Sequence, residues 1–119
     1  MPVTVASEGL IQTKVGTEHT LSSANSAGVY VWTVDARSVV AGDVWVLRMR
    51  EQVRSGSGLG VAYLATYANC LFAPIIKSIP LTMVYSAAEF TVEVSSSGAS
   101  GSGVGSNGPS FNWRLDNVN

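Results

Sequence analysis

Charged residues and cysteine are both scarce in this sequence of 119 residues. Charged side chains make up 13% of the chain and hydrophobic ones 46%, with a mean hydropathy of +0.26. A small domain has much surface to cover, so we expect part of its apolar surface to be buried against another subunit or partner. The single cysteine, Cys70, excludes a disulfide within the chain, and we interpret it as a small buried hydrophobic residue.

Three further features are missing. The net charge of −1 gives no excess positive field, so neither nucleic acid nor an anionic membrane surface is an expected partner. The apolar runs are much shorter than the roughly 20 residues of a membrane span. The opening stretch MPVTVASEGL lacks the basic and apolar regions of a signal peptide. We therefore expect synthesis in the cytoplasm without export by a signal of its own.

Helical periodicity is absent as well, and strand patterns dominate. Short segments rich in Val, Ile, Tyr, Phe and Trp recur about every 8–12 residues between Gly, Asn, Ser and Pro. Two weaker candidates, GLIQTKV and EHTLSSA, precede them. This pattern predicts a single all-β domain over 1–119, an antiparallel β-sandwich or small barrel, with a jelly roll of about eight strands favoured. The clearer strand candidates are 28–36, 43–54, 61–69, 74–81, 88–94 and 111–118.

The segment Ser95–Pro109 is unusually rich in serine and glycine and has no charge. Its residues 103–108 match G-x-G-x-x-G, but Pro109 and the strand pattern FNWRL follow, so no helix is available to hold a dinucleotide. Too few residues follow it for the segment to link two domains. We predict a flexible hairpin loop over 95–109, and two interpretations stay open: a loop that orders on a neighbouring subunit, or one without a role.

No arrangement of residues points to catalysis, a metal or a cofactor. His19 is the only histidine, no G-x-S-x-G elbow is present, and we interpret His19 as a solvent-facing strand residue. The carboxylate pairs Glu89/Glu93 and Asp43/Glu51 could suggest glycoside hydrolysis, but Glu89 and Glu93 are expected to point outward beside Thr91, which is typical of a solvated strand face. The expected protein is not an enzyme.

Two sets of side chains are candidates for an interface. Arg48, Arg50 and Arg54 share the outward face of the 43–54 strand, and two interpretations stay open: ion pairs across strands with Glu89, Glu93 or Asp116, or a stripe that docks on an acidic partner. Alternation places Trp45 and Trp113 in the core. The other aromatic residues either fill the core or form an exposed face suited to partners or to sugars. They are Tyr30, Trp32, Tyr63, Tyr67 and Tyr85.

The segment 28–94 resembles small all-β proteins encoded among the head genes of tailed bacteriophages. The shared pattern comprises V-D, then G-D-V and L-R, then A-Y-L-A-T, and finally I-P. In this sequence these residues are Val34-Asp35, Gly42-Asp43-Val44, Leu47-Arg48, Ala62–Thr66 and Ile79-Pro80. The resemblance implies a jelly-roll head-decoration (cement) protein that clamps capsid subunits from outside. It implies no catalytic residues, and the final hairpin loop here is longer than the pattern leads us to expect.

The sequence therefore supports two functional expectations. The first is a non-enzymatic virion structural protein on the capsid exterior, with the major capsid protein as partner and a homo-oligomeric (dimeric or trimeric) state. Its interface is expected to include Arg48, Arg50, Arg54, Trp32 and Tyr30. The alternative is a carbohydrate-binding β-sandwich module, of the tail-fibre or lectin-like kind, that uses exposed Trp or Tyr rings.

Overall fold

A computed structural model of the chain describes residues 3–24, 27–54, 56–69, 73–83, 88–98 and 105–118. Within these ranges all regular secondary structure is β-strand. The nine strands are β1 (Val3–Lys14), β2 (Glu18–Ala24), β3 (Gly28–Asp35), β4 (Val44–Gln52), β5 (Leu59–Ala68), β6 (Ile75–Lys77), β7 (Leu81–Met83), β8 (Ala88–Ser96) and β9 (Asn107–Val118).

The strands form two antiparallel sheets that pack face to face. The first sheet has the order β1-β9-β3-β6, with β7 also paired to β3, and the second has the order β2-β8-β4-β5. The chain passes back and forth between the sheets, and its last two strands insert between earlier ones. This strand order is that of a jelly roll, so the predicted all-β sandwich is confirmed.

The ninth strand arises because one strand of the first sheet is broken in two. Both β6 and β7 pair with β3, on either side of residues 78–80. Pro80 has no N–H to donate to a ladder, and Ser78 restores the pairing at the break. Its N–H donates to the carbonyl of Trp32 at 2.8 Å, and its Oγ accepts from the Trp32 N–H at 2.9 Å. The predicted 74–81 strand therefore exists as two short pieces.

The core lies between the sheets and is built from alternating residues. Phe90, Val92 and Val94 point inward from β8, as the sequence predicts. Phe111 packs against the ring of Trp45 at a centroid distance of 4.9 Å, and the other aromatic contacts range from 4.7 to 6.3 Å. Such tilted and stacked rings supply much of the buried apolar area of a small domain.

Tyr30 and Trp32 correct the sequence-based expectation. Both were expected on an outward interface, but they are only 2% and 1% exposed. Strand β3 carries apolar residues on both of its faces, so its sequence cannot reveal which set points inward. The structure directs Tyr30, Trp32 and Val34 to the core, and Trp32 makes an edge-to-face contact with Phe90 at 5.6 Å.

A buried carboxylate fixes the corner between β3 and β4. Asp43 is 1% exposed, and its side chain accepts hydrogen bonds from the N–H of Val40 (2.9 Å), the Oγ of Ser97 (2.8 Å) and the N–H of Gly98 (2.9 Å). A Cβ at position 98 would collide with the carbonyl oxygen of Ala41, so only glycine allows this approach. Asp43 thereby joins the β3–β4 corner to the segment that follows β8.

The serine- and glycine-rich segment is shorter as a loop than predicted. Strand β8 continues to Ser96 and β9 begins at Asn107, so the connection is 97–106 rather than 95–109. Its far end is also attached, because Val15 donates to the carbonyl of Ser106 and accepts from the N–H of Gly105 at 2.8 and 2.9 Å. The predicted flexibility at 99–104 lies outside the described residues.

Replacing Asp43 by alanine should lower the free energy of unfolding by about 2–3 kcal/mol, because several buried donors lose a charged acceptor. The matched control is Asp35→Ala, which removes an ion pair with Arg37, itself 73% exposed. Exposed pairs of this kind contribute at most about 1 kcal/mol. Urea unfolding of both variants measures the difference, and equal losses would show that the Asp43 corner is not a main support of the fold.

Candidate functional site

The outer face of the second sheet carries the chain's densest group of charges. Strand register sets Arg48 opposite Thr91 on β8 and Leu64 on β5. Glu18 on β2 lies opposite Glu93 on β8. The outward arginines of β4 are therefore flanked by acidic residues on one side and by apolar residues on the other.

Ion pairs link these residues into what we call the charge cluster, Glu18, Arg48, Arg50, Thr91 and Glu93. The Arg50 guanidinium binds both oxygens of Glu18 at 2.6 and 3.1 Å, a bidentate geometry. Arg48 contacts Glu93 at 2.7 Å and Glu18 at 3.5 Å. The hydroxyl of Thr91 donates to Glu18 at 2.6 Å. Of the two interpretations of the arginines, the ion-pair one describes Arg48 and Arg50.

Glu18 is the electrostatic centre of the charge cluster. The hydrogen bond from Arg50, above all, lowers the pKa of Glu18 from its usual 4.5 to about 2, helped by Thr91 and by the charge of Arg48 and opposed by partial burial. The same pair raises the pKa of Arg50. The Glu93 partner follows from the sequence, whereas Glu18 was missed because β2 has a weak strand pattern and lies far from β4 in the chain.

Arg54 does not join the charge cluster. Strand β4 ends at Gln52, and Arg54 lies in the turn that follows, where its N–H donates to Ser57 Oγ at 3.2 Å and its carbonyl accepts from the Ser57 N–H at 2.9 Å. Its side chain is exposed. The predicted stripe of three arginines is thus two internally paired residues and one that points to solvent.

An apolar strip borders the charge cluster along β5. Leu59, Val61 and Leu64 are 40%, 51% and 56% exposed. Each lies at the sheet edge, since β5 pairs only with β4 among the described strands. Such exposed apolar surface is characteristic of contact sites rather than of a solvated face.

The outer face of the first sheet holds an open cleft of about 290 Å³. The Oγ1 atom of Thr33 lies at this site and is buried without a hydrogen-bond partner. Trp113 is the only aromatic residue along it among those that the structure describes, and its ring packs over Gly9 towards the core. The lining residues are Glu8, Thr33, Asp35, Ile75, Lys77, Asn112, Trp113 and Arg114.

Three of the residues considered for catalysis, His19, Glu93 and Asp43, have structural partners. His19 Nε2 accepts the N–H of Lys14 at 3.0 Å and so tightens the turn between β1 and β2. Glu93 is paired with Arg48, and Asp43 is buried at its corner. Within the described ranges, no three or more His, Cys, Asp or Glu side chains come together in an arrangement able to hold a metal ion.

Comparison with protein-family models, with curated proteins and with solved structures finds no match to this chain. The described part of the chain also contains no helix long and apolar enough to cross a membrane.

The charge cluster should make the free energy of unfolding depend on pH in the acidic range. Glu18 has a lower pKa folded than unfolded, so its contribution is complete above about pH 5 and is lost as the pH falls towards about 2. Glu18→Gln should remove part of that dependence and cost about 1 kcal/mol at neutral pH, the usual upper value for a partly exposed pair.

The control is Glu8→Gln on the other sheet, the same substitution at a carboxylate outside the charge cluster. Urea unfolding at a series of pH values provides the measurement. A Glu18→Gln profile parallel to that of the wild type would contradict the assigned pKa of Glu18.

Proposed function

We propose that the chain is a non-enzymatic virion structural protein, a decoration or cement protein that binds the head lattice of a tailed bacteriophage. Its partner in this proposal is the major capsid protein. The protein is made in the host cytoplasm and acts on the capsid exterior. Two lines of support are the placement of the residues that carry the resemblance and the character of the second sheet's outer face.

The residues of the resemblance have consistent structural roles. Val34 and Leu47 belong to the core, and Asp43 is the buried carboxylate of the β3–β4 corner. Ala62–Thr66 forms the middle of the edge strand β5, and Ile79-Pro80 lies at the break between β6 and β7. The shared pattern therefore marks the corner, the edge and the broken strand of this jelly roll, which supports a common architecture.

The outer face of the second sheet is the observation on which the proposal rests. It combines the apolar strip of β5 with arginines already held in ion pairs, and exposed Arg54 lies in the turn between β4 and β5. Apolar contacts mainly set how slowly a complex dissociates, whereas charges at the rim set its register and its rate of association. A decoration protein that touches several subunits needs only modest contacts of this kind, because multivalency multiplies weak affinities.

Arg48 and Arg50 have a different role in this proposal from the one expected. They hold the sheet face through Glu18 and Glu93, so charge reversal at either would disturb the fold as well as the surface. Arg54 alone among the three has no acidic neighbour to which it is bonded in the described chain. We therefore assign the rim contact with acidic capsid groups to Arg54.

The carbohydrate-binding alternative requires exposed Trp or Tyr rings, and the described rings are buried or half-buried. Trp32 and Tyr30 are buried, and Tyr67 is stacked on Trp45 at 4.7 Å and half-buried. No aromatic side chain in the described ranges is classed as exposed. Sugar-binding faces of sandwich proteins depend on a free ring, so we do not put this function forward.

Arg54→Glu should weaken binding to heads assembled from the major capsid protein of the same genome. We expect a loss of about three- to tenfold near physiological salt that diminishes as salt is raised, because the charge acts at an exposed rim. Co-sedimentation of purified protein with heads, over a salt series, measures it.

The control is Lys77→Glu, the same reversal on the outer face of the first sheet, which should bind normally. Equal binding by both variants and the wild type would remove Arg54 from the interface. Failure of the wild type to bind such heads would refute the proposed function itself.

A further inference from the structure

The edge strands of the two sheets are protected unequally. Strand β1 carries Glu8 and Lys14, and β2 carries Glu18. On the opposite edge of the first sheet, β6 and β7 are each three residues long and Pro80 lies just before β7. Charges, prolines and short length are the usual devices that stop edge strands from pairing with other chains.

Strand β5 has none of these protective features. It spans ten residues, Leu59–Ala68, without a charge or a proline, and the whole stretch 55–76 contains no charged residue. A bulge at Ala62 shifts its register to β4 between Val61 and Tyr63. Beyond the bulge, residues 63–68 continue in unbroken register. This part of the edge is a regular strand with no feature that excludes a further strand.

One hydrogen bond fixes which backbone groups of β5 face outward. The N–H of Asn69 donates to the carbonyl of Asp43 at 2.8 Å, next to the pair Val44–Ala68. In an antiparallel ladder, hydrogen-bonded and non-hydrogen-bonded pairs alternate. Tyr67 and Ala65 therefore bond to β4, while Ala68, Thr66 and Leu64 direct their N–H and C=O groups to the open edge.

We propose that β5 pairs antiparallel with β5 of a second copy of this chain, about a two-fold axis through Thr66. Thr66 then lies opposite Thr66 of the partner subunit, and Leu64 opposite Ala68 of the partner subunit. All three outward-directed residues of each copy are used, which gives about six main-chain hydrogen bonds across the axis. The two second sheets become one continuous sheet of β2-β8-β4-β5 and its symmetry mate.

An identical strand fits this edge better than a different one for two reasons. The edge has no charge, so two copies meet without repulsion, whereas a charged partner strand would desolvate its charge against Leu64 without compensation. The register is also self-complementary: the 56% exposed Leu64 lies beside a small alanine with which it does not clash, and paired threonines on the axis form a favourable cross-strand contact. The pairing is a property of the free protein and does not depend on capsid binding.

The first experiment is sedimentation equilibrium of the purified chain at micromolar concentrations, without capsids. The expected species is a dimer. Leu64→Lys places a charge beside Ala68 of the partner subunit, where pairing would partly desolvate it without an acidic partner, and it should raise the dissociation constant at least about tenfold. The matched control is Leu10→Lys, at another exposed leucine (67%) on edge strand β1, which should leave the dimer intact. Thermal unfolding verifies that both variants fold.

A second pair of variants tests the main-chain pairing directly. Thr66→Pro removes an N–H that faces the open edge and no internal bond, so it should abolish the dimer and preserve the fold. Thr66→Cys in a Cys70→Ser background should form a disulfide across the axis under mild oxidation, whereas Thr20→Cys on β2 should not.

A monomer at all concentrations, a trimer, or a dimer that survives both Leu64→Lys and Thr66→Pro would overturn the proposal. Loss of the dimer in Leu10→Lys would place the interface at β1 instead. Because no capsid is present, none of these outcomes bears on the proposed decoration function.

Discussion

Asp43 joins three parts of the chain that are distant in sequence, and the position of β4 and β5 depends on it. Its carboxylate holds the β3–β4 corner to Ser97 and Gly98, while its carbonyl accepts the N–H of Asn69 at the end of β5. The side-chain Oδ1 of Asn69 in turn accepts the N–H of Gly42 at 2.9 Å. A buried carboxylate is tolerable only when donors surround it, so this corner has essentially one arrangement. This arrangement fixes the register of β4. It also fixes which residues of β5 bond to β4 and which direct their main-chain groups to the open edge.

Scarcity of charge determines how the surface is divided. The second sheet places Arg48 and Arg50 beside Glu18 and Glu93, so these charges satisfy one another across β2, β8 and β4. Little charge is then left for β5. Strand β5 is therefore an edge strand without charges to prevent pairing with another chain, and its exposed residues form the apolar strip. That combination favours contact with another chain over exposure to water.

The side chains predicted to point inward do so where a strand alternates between apolar and polar residues. The prediction fails where a strand is apolar on both faces. Strand β8 alternates cleanly, so Phe90, Val92 and Val94 are predicted inward and lie there. Strand β3 is apolar on both faces, so its own pattern carries no information on whether Trp32 points inward. The answer depends on pairing with β9 and β6, which is non-local. The ion pairs of Glu18 and the hydrogen bonds from Asp43 to Ser97 and Gly98 were not predicted for the same reason, since these partners lie tens of residues away in the chain.

The proposed dimer contact and the proposed capsid contact lie next to each other on the second sheet. In the dimer, the outer face of the fused sheet runs from one charge cluster through the paired apolar strips of β5 to the second cluster. An apolar centre flanked by polar groups is the common anatomy of protein interfaces, in which the centre is desolvated and the flanks set orientation. Pairing through β5 covers the backbone edge of that strand but leaves the outward side chains of Leu64 and Val61 on the face. Dimer formation therefore uses the open hydrogen-bonding groups, and the apolar side chains stay available for a lattice beneath.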